Sequence, residues 1–237
     1  MNILAIGNSF SQDATRYLHD IALADGCRMS VVNLYIPGCP LEVHKNNLEN
    51  GGMYSMEYNG EPSGFFCPIT QALKAKKWDV ITLQQASHFS NDFATYEPYI
   101  SILADTIRES CPGAKLYIHE TWAYEEGSAR LCEMMKYRHQ SDMWADVSAS
   151  YAKAAEKIKA DGIIHGGLFF QTLYEKNIKP YQRDTFHASF GLGRYALGLV
   201  WYHTLTGNSV TGNSFRAFDE PIDEQTVLRV QELVDKM

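Results

Sequence analysis

The sequence predicts an α/β fold, with a central parallel five-stranded sheet between two layers of helices. Short apolar runs of strand length alternate with helical patterns along all 237 residues, which gives parallel strands joined by helical crossovers. Several of these runs end in glycine or polar residues, at the strand edge where open α/β sheets keep their sites. No linker, composition shift or internal repeat interrupts the alternation, so residues 1–237 are expected to form a single domain.

The first strand covers Asn2 to Ile6, mostly apolar, too short for a helix and stopped by Gly7. A helical pattern follows from about Gln12 to Ala24. Met29 to Ile36 reads as the second strand, closed by the rigid loop Pro37-Gly38-Cys39-Pro40. After a short helix over Leu41 to Leu48, residues 50–66 suggest a β-hairpin around Asn59-Gly60, read as a small excursion from the core. Pro68 to Lys77 is helical, and Asp79 to Leu83 is a strand running into Gln84-Gln85-Ala86-Ser87-His88. The stripe Ile100, Leu103, Ala104 and Ile107 marks a helix over Tyr96 to Ser110. Lys115 to Ile118 is the fourth strand, and residues 123–140 form a charged, aromatic connection. Met143 to Ala160 is helical, Ile163-Ile164 belong to the fifth strand, and helices cover Phe169 to Glu175 and Ser189 to Thr206.

Composition excludes several classes. With 45% hydrophobic and 21% charged residues the chain is globular, and its net charge of −7 argues against nucleic acid or an anionic membrane as partner. Its apolar runs fall far short of the roughly 18 residues of a membrane span. No leader is visible before the first strand, which predicts a cytoplasmic protein. The five cysteines form no C-x-x-C pair and read as buried free thiols.

Ser9 stands where a strand turns into a helix, beside free backbone N–H groups and a partial positive charge. Alone, Ser9 or Ser11 reads more readily as an N-cap than as a nucleophile, so Ser9 needs a partner. Asp184 lies three residues before His187 in a polar loop. The aspartate can fold back onto one ring nitrogen and leave the other to take a proton from a serine hydroxyl, the role logic of a Ser-His-Asp triad. The histidines are scattered without a zinc pattern, and Gly191, Gly193 and Gly198 follow no strand, so neither a metal nor a nucleotide is expected.

Taken together, Gly7-Asn8-Ser9, the Gly38 loop, the amides after the third strand and Asp184-x-x-His187 resemble the SGNH (GDSL-like) hydrolases. In that family's first block the commoner Gly-Asp-Ser has aspartate where Asn8 stands here. Ile6 to Ser11, Leu83 to Ser87 and Glu120 to Tyr124 look most like its bacterial DUF4886 branch. The resemblance implies a flavodoxin-like three-layer α/β/α sandwich, with Ser9 as nucleophile, His187 as base and Asp184 orienting it. It implies oxyanion donors at the backbone of Ser9 and Gly38. The family's Gly-x-Asn-Asp block is missing. A glutamine occupies the equivalent region of the sialate-O-acetylesterase-like branch, which implies Gln85, or failing that Gln84, as the side-chain donor, with His88 a lesser substitute. The implied substrate is a small-molecule or saccharide O-acyl ester, acetyl foremost, with no cofactor. Trp122, Tyr124, Tyr54 and Tyr58 are candidates for sugar stacking, with core packing the safer reading for any one of them. The competing class is a carbohydrate- or small-ligand-binding protein that kept the fold and lost the chemistry.

Overall fold

The computed structural model describes residues 1–237. Its strands are β1 (Asn2–Gly7), β2 (Ser30–Tyr35), β3 (Met53–Tyr58), β4 (Glu61–Pro68), β5 (Val80–Leu83), β6 (Lys115–His119) and β7 (Gly162–Ile164), in one sheet of order β4-β3-β2-β1-β5-β6-β7. β1 sits at its centre because Ile3, Leu4, Ala5 and Ile6 are buried on both faces, as a parallel strand covered by helices on either side must be. β2, β1, β5, β6 and β7 run parallel.

The sheet therefore has seven strands, not five. The hairpin turns where the sequence places it, with Asn59 and Gly60 at φ of 52° and 84° between Tyr58 and Glu61. That left-handed pair favours Asn-Gly, and a Cβ on Gly60 would strike the carbonyl of Arg16. The hairpin is no excursion: β3 pairs antiparallel with β2, from Val32 opposite Tyr58 to Tyr35 opposite Ser55. A buried polar chain helps hold it there. Asn33 Nδ2 donates to Glu57 Oε2 at 2.7 Å, and Gln12 Nε2 donates to the other oxygen of that carboxylate.

The helices are α1 (Ser9–Thr15), α2 (Leu18–Ala24), α3 (Leu41–Asn50), α4 (Ile69–Ala75), α5 (Tyr99–Ser110), α6 (Gln140–Ile158), α7 (Gly166–Glu175), α8 (Leu192–Thr206) and α9 (Glu224–Val234). α8 packs against α1, α2, α7 and α9, while α3, α4, α5 and α6 pack on one another. These are the two helical layers. The predicted Ile100, Leu103, Ala104 and Ile107 stripe of α5 is buried. The first helix differs from expectation: it is split in two and starts at Ser9, because Asn8 caps it by accepting from the Phe10 N–H at 3.0 Å. α9, absent from the sequence reading, is capped by Asp223 and tied to α8 through Gln231 Nε2 and Tyr195 OH at 2.8 Å. All five cysteines are free, but only Cys39 and Cys67 are buried as expected; Cys27 and Cys111 are half-buried and Cys132 is exposed. No helix is long and apolar enough to cross a membrane.

His44 and His119 lie inside the fold, and burial pushes both imidazoles down to about 3 from 6.5. Below about pH 6.5 the unfolded chain takes up protons that the native state refuses. Stability is thus complete above that pH and lost as pH falls toward 3. The urea midpoint is expected to hold steady above about pH 7 and to drop below about pH 6. Each histidine adds up to about 1.4 kcal/mol per pH unit. A His44→Gln, His119→Gln double variant is expected to flatten that slope.

Candidate active site

The site forms at the carboxyl ends of β1 and β2. Gly7 is needed where β1 gives way to α1, because a Cβ there would lie 2.5 Å from Ser11 Oγ. The tight turn puts Ser9 in the first turn of α1, where its N–H has no intrahelical acceptor. Ser11, the other serine of the motif, is buried with its hydroxyl between the Asn8 carbonyl and Asn33 Oδ1.

The histidine arrives from a loop between α7 and α8. Arg183 N–H donates to the His187 carbonyl at 2.9 Å, and Asp184 and Thr185 turn the chain with φ of 32° and 74°. One oxygen of Asp184 accepts the His187 backbone N–H at 3.0 Å and the other lies 2.8 Å from His187 Nδ1. An ionised carboxylate can only accept, so Nδ1 carries the proton and Nε2 presents a lone pair. Ser9 Oγ lies 2.8 Å from that Nε2 and donates to it. Burial raises the Asp184 carboxyl, but the His187 side-chain and backbone hydrogen bonds outweigh it and hold the group below its ordinary value. Asp184 thus stays ionised at neutral pH.

The loop is braced on three sides. Trp122 Nε1 donates to the Phe186 carbonyl at 2.7 Å, and its ring stacks on Phe10 at 4.2 Å. One indole therefore steadies the neighbours of both Ser9 and His187. Glu125 N–H donates to the Thr185 carbonyl at 2.9 Å. Arg183 Nη1 reaches the fully buried Asp13 of α1 at 3.0 Å, and Arg194 Nε reaches it at 2.8 Å. Ser9 and His187 face a cavity of about 540 Å³ whose wall includes Gly38, Ser87, His88, Tyr124 and Arg130. No three His, Cys, Asp or Glu side chains group as a metal site.

The family model for DUF4886, a domain of unknown function, matches residues 2–229. A DUF4886 family protein from Bacteroides uniformis, known from its crystal structure, is 32% identical, with a TM-score of 0.90 over 100% of this chain and 93% of its own. The chain belongs to the DUF4886 family. A candidate SGNH hydrolase from Slackia heliotrinireducens superposes with a TM-score of 0.63 at 24% identity, covering 86% of this chain and 98% of that one. An acetylxylan esterase from Geobacillus stearothermophilus does so at 0.51 and 15%, covering 86% and 91%. The fold is that of the SGNH hydrolases. No curated protein matches the sequence.

In this DUF4886 protein the expected glutamine donors turn away from Ser9. Gln85 Nε2 donates to the carbonyl and hydroxyl of Thr95 at 3.0 and 3.2 Å, and its Oε1 accepts from the N–H groups of Leu41 and Ala86. Gln84 Nε2 donates to Asn8 Oδ1 at 2.7 Å, and its Oε1 lies 2.7 Å from His119 Nδ1. Both amides are buried within structural networks. The Gln84 chain orients Asn8, whose Nδ2 donates to the Cys39 carbonyl at 3.1 Å and so ties the start of α1 to the Gly38 loop. Gln85→Leu is accordingly expected to lower stability, by about 1–3 kcal/mol for each backbone amide left unpaired, read from its denaturant midpoint.

The aromatic assignments divide likewise. Trp122 is a buried brace, and Tyr54 is buried with its hydroxyl on His44 and Asn47. Neither offers a face to a sugar. Tyr58 lies by the start of β2, opposite Val32, at the far end of the sheet from Ser9. Tyr124 does reach the cavity, with its hydroxyl 2.9 Å from Ser87 Oγ, and so does the exposed His88, whose ring lies against Phe89. The residues missed from sequence are Asp13, Arg194, Ser87, Phe186 and Arg130. Asp13 had one local signal, an acid one helical turn after Ser9 on a face that must be buried.

Proposed function

We propose that this protein is a serine esterase that hydrolyses O-acyl esters, acetyl foremost, through Ser9, His187 and Asp184. The observation that carries the proposal is the continuous chain from Ser9 Oγ through His187 to the Asp184 carboxylate, 2.8 Å at each link, opening on a cavity. His187 Nε2 takes the Ser9 proton as Oγ attacks the ester carbonyl, and Asp184 stabilises the imidazolium. The Ser9 and Gly38 N–H groups receive the oxyanion. His187 then gives the proton to the departing alcohol, and a water activated by the same nitrogen releases the acid from the acyl-enzyme. A saccharide suits the alcohol side: the cavity has the size of a small-ligand site, and an acetylxylan esterase shares the fold.

The binding-protein reading has one observation in its favour, the withdrawal of both glutamine amides, which leaves the oxyanion to backbone donors. Acetate release from 4-nitrophenyl acetate and from acetylated saccharides distinguishes the readings. Acetate release that is lost in Ser9→Ala supports the acetylesterase; a folded protein that binds the saccharide and releases no acetate supports the binder.

A further inference from the structure

Arg130 is the one permanent charge on the wall of the Ser9 cavity, which contains no Asp or Glu side chain, although the chain carries 28 acids against 21 Lys and Arg. Four other arginines are engaged with carboxylates, Arg16 with Glu61 and Asp219, Arg183 and Arg194 with Asp13, Arg216 with Glu224, and Arg108 donates to the carbonyls of Ile158 and Lys159. Arg130 has no such partner. Its guanidinium carbon instead sits 3.9 Å from the centre of the Phe186 ring, and that ring lies 3.8 Å from the ring of His187. The stack holds a flexible side chain in place beside the base without using its N–H donors. Arg130 also opens a π-helical turn, Arg130–Met134, which brings Met134 to the same wall, an irregularity common at functional positions.

We infer that Arg130 receives a carboxylate on the alcohol portion of the ester, so that the preferred substrates are O-acetyl groups on acidic molecules such as acidic saccharides. The inference rests on the esterase reading for its chemistry. A planar guanidinium matches a carboxylate with paired hydrogen bonds. A single guanidinium neutralises a monoanion, whereas a phosphate dianion would call for a second fixed cation. An acid-free wall presents such a substrate with no like charge to overcome.

The matched probes are 4-acetoxybenzoate and its methyl ester, which differ in the carboxylate alone. For the wild type, kcat/KM is expected to favour the acid, and Arg130→Ala is expected to lower the acid-to-ester ratio at least about tenfold. Arg130→Lys should restore part of it, and added salt should erode the preference. A ratio unchanged in Arg130→Ala overturns the inference. Calorimetric binding of 4-acetoxybenzoate in a Ser9→Ala background separates this from the esterase reading, since no turnover is needed. There Arg130→Ala is expected to weaken binding about tenfold, and equal affinities, or no binding of the acid before the change, overturn the inference. Wild-type protein that hydrolyses neither probe, but binds the acid through Arg130, removes the esterase and leaves the carboxylate site standing.

Discussion

Ser9→Ala is expected to abolish ester turnover, lowering kcat by at least about a thousandfold, with the fold intact. The side chain is half-buried at the start of a helix whose cap is Asn8, so losing one hydroxyl removes no structural hydrogen bond beyond that to His187. His187→Ala is expected to cost a similar factor, because an unassisted serine hydroxyl is a weak nucleophile at neutral pH. The double variant should be no worse than either single one, as for groups that act as a unit. Steady-state kinetics on 4-nitrophenyl acetate, with circular dichroism to verify folding, check all three. Additive losses would mean that Ser9 and His187 act separately.

The largest expected loss of stability is at Asp13. This carboxylate is fully buried between Arg183 and Arg194, and Arg194 passes the network on to Asp219 at 2.7 Å and thence to Arg16. Burial pushes the Asp13 carboxyl up while the guanidiniums pull it back. Asp13→Ala takes the one carboxylate from Arg183 and leaves Arg194 with Asp219 alone, at a cost of about 3–5 kcal/mol, a large share of what a domain of this kind has in total. Asp13→Asn keeps the shape and is the variant to carry into kinetics. Arg183 directly precedes Asp184, so the folded Asn variant is expected to lose kcat by loosening the Ser9–His187 contact. Guanidinium unfolding and kcat together test this. A cost below about 1 kcal/mol in Asp13→Ala would show that the pair is effectively solvated.

The legible parts of the sequence were those set by local chemistry. Strand ends at Gly7 and Leu83, the Asn59-Gly60 turn and the α5 stripe all follow from rules that span a few residues. Ser9 and the Asp184–His187 pair were each marked locally, by a strand-end serine and by two residues three apart, while their meeting across 178 residues was implied only by the family resemblance. The hairpin's place in the sheet was not, because it depends on Asn33 reaching Glu57 across 24 residues. The direction of Gln84 and Gln85 was hidden likewise: a buried amide turns toward whichever donors and acceptors the fold supplies, here His119, Thr95 and Leu41. Trp122 and Tyr54 took the core-packing reading that the sequence left beside sugar stacking, because the fold closes over both. Arg130 carried no signal, since its meaning lies in the absence of acids around it, which no spacing encodes.

The most direct test of the central claim is covalent. An alkyl fluorophosphonate mimics the tetrahedral intermediate and is attacked only by an activated serine, releasing fluoride as the Ser9 Oγ–phosphorus bond forms. Peptide mass spectrometry of the treated protein is expected to place one adduct on Ser9, and to find it lost in His187→Ala. An adduct absent from the folded wild type, or located on another residue, would contradict the account.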